Sequence, residues 1–170
     1  MADNIPDLVE ELLASSKVRR PPVPVEKIAK KAGIFVCALP AEDEISGAMI
    51  RRHGRVTIAV NPAHHSNRQR FTIAHELGHF FLHEGLEQHV DENFRIAWRN
   101  ADSSKAINWM EIQANRFAGE LLMPSRFLEQ DLNSLQSIDK RTVALLATKY
   151  SVSPEAMKIR LSQLGIWGPF

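Results

Sequence analysis

Cysteine and tyrosine are nearly absent: each occurs once in 170 residues, as Cys37 and Tyr150. One thiol cannot close an internal disulfide, so packing has to hold the fold, and a lone cysteine suits a reducing cytosol. Charge of one sign is missing too. Twenty-one lysines and arginines stand against 20 aspartates and glutamates, a formal net charge of +1, which weighs against a protein built mainly to hold a nucleic-acid backbone. No stretch approaches the roughly 20 apolar residues of a membrane span. The opening Met1-Ala-Asp-Asn-Ile-Pro-Asp has neither the basic nor the apolar part of a signal peptide. What remains is a cytoplasmic globular chain, 44% hydrophobic, with enough apolar surface for a real core.

No internal repeat or low-complexity tract divides the chain. Pro6 to Ser16 reads as an amphipathic helix, and Pro21, Pro22 and Pro24 keep it from continuing. A second helix over Val25 to Ala32 stops at Gly33. Three β-rich runs come next: Ile34 to Leu39, Ile45 to Arg52 and Arg55 to Asn61, the last two joined by a tight turn at His53-Gly54. They suggest a small antiparallel meander. Ser66 is the expected N-cap of a helix reaching His83 and closed by Gly85. Residues 86 to 106 lack steady periodicity and read as a long surface loop. A strong helix over Ile107 to Met123 ends at Pro124, and shorter helices fill the rest. The layout is α+β.

The chemistry is concentrated in Phe71-Thr72-Ile73-Ala74-His75-Glu76-Leu77-Gly78-His79-Phe80-Phe81. His75, Glu76 and His79 make the pattern H-E-x-x-H. Histidines four apart lie on one helix face, so both imidazoles reach a single metal ion. Glu76 is turned about 100° from His75, which lets it serve a bound water as general base without ligating the metal. Gly78 lowers helix propensity by about 1 kcal/mol relative to alanine, which is understandable if something packs tightly there. A catalytic zinc needs a third protein ligand. His83 lies about 12 Å along the axis from His75, too far to share the ion, so it suits a supporting or helix-end position. The better third ligand is Glu111, on one stripe of the next helix with Ala114, Asn115 and Ala118, whose small side chains permit close approach. Glu84, Glu87, Asp91 and Glu92 remain rivals.

The run Arg70-Phe-Thr-Ile-Ala-His-Glu-Leu-Gly-His79, followed by Glu111-x-x-Ala-Asn-x-Phe-Ala-x-Glu-Leu-Leu-Met-Pro124, resembles the ImmA/IrrE family of metallopeptidases. The likeness extends to Pro21-Pro22-x-x-Val-Glu-Lys-Ile-Ala and to Ala-x-x-Tyr-Ser-Val-Ser-x-x-Ala-Met-x-x-Arg-Leu near the C-terminus, nearly the whole chain. The resemblance implies a zincin-like, thermolysin-like core, one zinc held by His75, His79 and Glu111, and Glu76 as catalytic base. It also implies a regulatory substrate or partner, a helix-turn-helix repressor of the Xre type. Such repressors belong to mobile elements, phage, stress regulons or toxin–antitoxin-like systems.

Thr142 to Leu164 is spaced as two short helices around Ser151-Val152-Ser153, with Pro154 opening the second, like a helix-turn-helix. Residues 135–170 carry five basic against two acidic groups, weak for DNA, so packing on the core or receiving a protein is the better use. The expected division is 1–134, a metallopeptidase domain, and 135–170, a helical subdomain. Arg55 to Asn61 is the expected edge strand for an extended substrate. His64 and His65 read as solvated loop residues, Tyr150 as core, Cys37 as a small buried side chain. Arg51, Arg52 and Arg55 read as charges on an exposed edge. The expected function is a zinc endopeptidase, against two rivals: a module that binds a repressor without cutting it, and a DNA-binding regulator.

Overall fold

The computed structural model describes residues 4–83, 88–92, 105–133, 135 and 138–166. Helix α1 (Ile5–Ser15) turns Ile5, Val9 and Leu13 inward at a spacing of four. Helix α2 (Val25–Lys31) buries Val25, Ile28 and Ala29. It ends before Gly33, whose φ of +78° is a left-handed stop that costs glycine nothing.

Strands β1 (Ile34–Ala38), β2 (Ile45–Arg52), β3 (Arg55–Val60) and β4 (Gln88–Glu92) form one sheet in the order β1-β3-β2-β4. The β2–β3 hairpin closes as expected: Arg52 pairs with Arg55, and His53 and Gly54 both have positive φ, as a two-residue turn requires. The antiparallel meander does not form, because β1 runs parallel to β3. The connection after β1 crosses the end of β3 before β2 begins, and Asn61 fastens that crossing. Its Nδ2 donates to the carbonyls of Ala41, Glu42 and Ile45 at 3.1, 3.2 and 3.1 Å, while its Oδ1 accepts from the Ala63 amide. Hydrophobic period carries no trace of such a bond. Strand β4 lies in the stretch expected to be loop and pairs antiparallel with β2; its polar sequence, common on sheet edges, hid it. Strand β3 is therefore interior, flanked by β1 and β2, and cannot be the edge that receives a substrate. Arg51 is likewise no edge charge. It donates to the Phe80 carbonyl at 3.3 Å and covers the Phe80 ring. Cys37 is half-buried rather than buried.

Helix α3 (Ser66–Leu82) lies on the sheet face that carries Met49 and Ile58. His65, not Ser66, is its N-cap, accepting from the Asn67 amide; Gly85 falls outside the described residues. Contact with the sheet is close: a Cβ on Gly47 would stand 2.5 Å from Thr72 Cγ2 and 2.6 Å from the Ala59 carbonyl oxygen. Helix α4 (Lys105–Leu122) crosses α3 just as tightly. A Cβ on Gly78 would come within 2.9 Å of Ala114 Cα and 3.1 Å of its carbonyl oxygen.

Helices α5 (Ser125–Leu132), α6 (Lys140–Tyr150) and α7 (Pro154–Gln163) complete the chain. Asp139 caps α6 through the Thr142 amide at 2.7 Å; that bond holds its carboxyl below the ordinary range. Ser151 takes the left-handed turn position with φ 54°. Val143, Leu146, Tyr150, Met157 and Leu161 join the buried cluster that also contains Ile5, Met49 and Leu121. Arg160 of α7 is buried and pairs with Glu120 of α4, its Nε donating to the Met123 carbonyl.

Gly78 and Gly119 lie in helix interiors but face different surroundings, and nothing lies within 4 Å of a Cβ on Gly119. Propensity alone would make alanine stabilising at both, by up to about 1 kcal/mol. Gly119→Ala should raise the melting temperature or leave it unchanged. Gly78→Ala should lower it, at a cost of about 1–3 kcal/mol, the usual penalty of overpacking against backbone that cannot yield. Thermal denaturation of the two variants measures the difference in sign.

Candidate metal centre

Helix α3 carries the centre because its middle turns are buried from all sides: His75 is 2% exposed, Glu76 and His79 not at all. Helical spacing stacks the two imidazoles, whose Nε2 atoms stand 3.0 Å apart. The glycine contact brings α4 near enough for Glu111 to complete the group. Its Oε2 is 3.2 Å from His75 Nε2 and its Oε1 is 3.1 Å from His79 Nε2. Among the described residues, His75, His79 and Glu111 form the group whose donor atoms all lie within 4.8 Å of one another. The opposite edges of the rings are held as well. His75 Nδ1 is 2.9 Å from Asn115 Oδ1, and His79 Nδ1 is 3.1 Å from His83 Nδ1. His83 in turn places its Nε2 3.1 Å from Gln113 Oε1.

Two imidazole nitrogens and a carboxylate are the donor set of a borderline metal such as zinc. Ligands about 2.0–2.1 Å from a tetrahedral zinc lie roughly 3.3 Å from one another. The separations of 3.0–3.2 Å here would have to widen by only a few tenths of an ångström, so the donors fit the ion. Glu76 follows His75 in sequence and is fully buried.

Of the rival ligands, Glu84 and Glu87 lie outside the described residues; Asp91 and Glu92 belong to β4, of which only the backbone is described. His83 sits at the end of α3 with extended backbone, φ −123° and ψ 91°, and supports His79 from the side away from Glu111. His64 Nε2 lies 3.0 Å from the carbonyl oxygen of Asp43, in the segment before β2, and His65 caps α3, so each has a structural partner. Tyr150 is fully buried and donates to Asp131 Oδ2 at 2.9 Å. Burial first, and then that carboxylate, push its phenol well above the ordinary value, so it is no proton donor to the centre. Gln113 went unnoticed in the sequence. It lies off the stripe of Glu111 and Asn115, and only the position of His83 gives it a purpose.

A pair of histidines one turn apart, a carboxylate from the neighbouring helix and an adjoining buried glutamate, set on an α+β frame, define an H-E-x-x-H type of centre. Residues 29–162 match the peptidase family described as the IrrE N-terminal-like domain, and the chain belongs to that family. It is 34% identical over 98 residues to metallopeptidase ImmA of Bacillus subtilis (strain 168), a match covering 57% of this chain and 51% of that protein. A Mycobacterium tuberculosis transcriptional regulator has the same fold, with a TM-score of 0.64 at 19% identity, over 94% of this chain and 46% of its own. The chain thus spans about half the length of each of these relatives.

Removing the helix-α4 donor tests the assembly directly. Glu111→Ala should lower zinc affinity by more than about tenfold, while Glu84→Ala, Glu87→Ala and Glu92→Ala should leave it unchanged. Loss of a ligand should exceed the 10–100-fold effects usual for outer-shell partners at its lower end. Zinc titration against a chromophoric chelator provides the measurement, and equal retention by Glu111→Ala would move the third ligand elsewhere.

Proposed function

We propose that this chain is a zinc-dependent endopeptidase acting on a helix-turn-helix repressor protein of the Xre type. The observation that supports this best is the convergence of His75, His79 and Glu111 on one point, with Glu76, the residue after His75, fully buried on the same helix. Zinc held by those three residues would polarise the scissile carbonyl and make water acidic enough to attack near neutral pH. Glu76 takes one proton from that water as its oxygen bonds to the carbonyl carbon. It then returns the proton to the amide nitrogen as the C–N bond breaks, leaving a carboxylic acid and an amine, which part as carboxylate and ammonium near neutral pH. Burial of Glu76 keeps bulk water from competing for the proton.

An extended substrate needs an open strand edge. Strand β3 is interior, which leaves β1 and β4 as the edges among the described residues, each paired with one neighbour. We assign the substrate backbone to β4, which adjoins β2, the strand whose Gly47 presses against α3. The C-terminal residues, 135–170 in our division, serve to receive the repressor. Their use in reading DNA is disfavoured by the position of Arg160: it is 5% exposed and bound to Glu120. That leaves Lys158 as the one accessible basic residue of α7, too little for a phosphate footprint. A regulatory, cytoplasmic setting, as in phage, stress or toxin–antitoxin-like systems, belongs to the same reading. Among the described residues no helix is long and apolar enough to cross a membrane.

Glu76→Gln separates cutting from holding. The variant should keep its zinc, because position 76 is outside the ligand set. Cleavage of the repressor should fall by about 10²–10⁴, the range for a positioned acid–base group. Incubating wild type and variant with Xre-type repressors, beginning with any encoded next to this protein, and resolving the products by mass spectrometry, measures it. Equal relief of repression by both, with no cleavage by either, would instead establish a sequestering module.

A further inference from the structure

The outer edges of the two candidate ligand rings meet different kinds of partner, and the difference has a consequence for which nitrogen carries each proton. His75 Nδ1 faces an amide oxygen, Asn115 Oδ1, at 2.9 Å. An amide oxygen only accepts, so Nδ1 carries a proton, and a singly protonated ring then has its lone pair at Nε2 for an ion held with Glu111 and His79. His79 Nδ1 faces a second imidazole nitrogen, His83 Nδ1, at 3.1 Å. An imidazole nitrogen can give or accept, so this contact alone leaves His79 undecided. The choice is made one bond further out. His83 Nε2 lies 3.1 Å from Gln113 Oε1, which accepts a proton and so fixes it on His83 Nε2. With its proton at Nε2, the His83 ring offers the lone pair of its Nδ1, and His79 donates to it from its own Nδ1. The lone pair of the His79 ring then falls at Nε2, on the side of Glu111.

We infer that Gln113 and His83 form a two-link relay that sets the tautomer of His79, making both positioning residues for the candidate centre. The inference rests on the metal-site reading above. Reversing the relay would put a proton on His79 Nε2, the atom 3.1 Å from Glu111 Oε1, and that ring could no longer ligate. The fold favours the stated direction because His83 is nearly buried, at 8% exposure, and little water reaches it to replace Gln113. Its extended backbone at the end of α3 turns the ring back along the helix to His79 while its far edge meets α4.

Two measurements on the whole protein test this. Nitrogen-15 correlation spectra of the zinc-loaded wild type should show protons on Nδ1 of His75 and His79 and on Nε2 of His83. A proton on His83 Nδ1 would overturn the relay without any variant being made. The second is a cycle read as zinc affinity. Gln113→Ala should weaken zinc about tenfold or more, within the range for outer-shell partners. His83→Asn places an amide oxygen near the former Nδ1, an acceptor that needs no help from position 113. In that background Gln113→Ala should cost less than about twofold. The same loss in both backgrounds would mean that Gln113 acts only through packing, and the relay would be wrong while the metal site stood. If wild type takes up no zinc at all, the metal-site reading falls first and the relay with it.

Discussion

The separation of α3 and α4 at Gly78 governs everything the centre can do. With hydrogen as its side chain, Gly78 lets Ala114 of the opposing helix approach to where a methyl group would overlap its backbone. Glu111 sits one turn before Ala114 on the same face of α4, and its reach to both Nε2 atoms results from that approach. A helix pair held at the more usual 8–10 Å by larger side chains would leave the carboxylate short of the histidines. The cost is a glycine in mid-helix, about 1 kcal/mol in propensity, offset by burying the apolar parts of both helices. Ala114, Phe117, Ala118 and Leu121 are all fully buried.

Such a contact works only if neither helix can slide, and the remaining elements fasten both. Below α3, Gly47 lets the sheet press against Thr72, while Arg68 donates through Nε and a terminal nitrogen to Ser46 Oγ at 3.1 and 2.7 Å. Arg70 ties the start of α3 to two distant segments, donating to the carbonyls of Ser151 at 3.3 Å and Val23 at 2.9 Å. Burial drives its guanidinium below the ordinary value, partly countered by Glu26; two of its nitrogens nevertheless donate to backbone. At the far end of α4, Glu120 is held by Arg160 and by both the amide and hydroxyl of Ser125. A carboxylate and a guanidinium buried together are costly to desolvate, so their value here lies in fixing direction. The turn and second helix of the C-terminal pair therefore each grip one of the two helices that carry the centre. A protein bound at that end touches elements bonded directly to α3 and α4.

How far the sequence reveals this differs by feature. The helices given bounds were legible to within about two residues because their apolar spacing is regular, while α5 was legible only as one of the shorter helices after Pro124. The H-E-x-x-H group and Glu111 were legible because helix geometry converts sequence spacing into direction, as with His75 and His79. The tight α3–α4 contact was foreshadowed by Gly78 facing a stripe containing Ala114 and Ala118. Sheet order was not legible. Whether β1 joins β2 or β3 depends on Asn61, whose three carbonyl contacts come from residues 16 to 20 positions away and carry no periodic signal. Strand β4 was hidden for a related reason: an edge strand need not alternate when polar residues are what protects it. Arg51 misled in the same manner, and Arg160, one of the five basic residues counted over 135–170, proves to be buried. A charged residue in an exposed-looking pattern gives no warning that a carbonyl or a buried carboxylate awaits it.

The electrostatics of the centre couple it to the stability of the fold. On the tautomers inferred for His75 and His79, three lone-pair-bearing groups face one another: two Nε2 atoms at 3.0 Å and the two Glu111 oxygens at 3.1–3.2 Å. They are enclosed where both histidines are nearly inaccessible to water. Three such groups stay this close only with a proton shared between them or an ion held among them. Zinc bound by all three would therefore add to native stability as well as to the chemistry of the centre. The outer partners point to the same purpose. Asn115 and the His83–Gln113 pair are neutral acceptors, which direct the rings without adding negative charge. They leave the carboxylate of Glu111 as the sole anionic ligand in the three-residue set, and so leave more of the cation's charge to act on whatever it polarises.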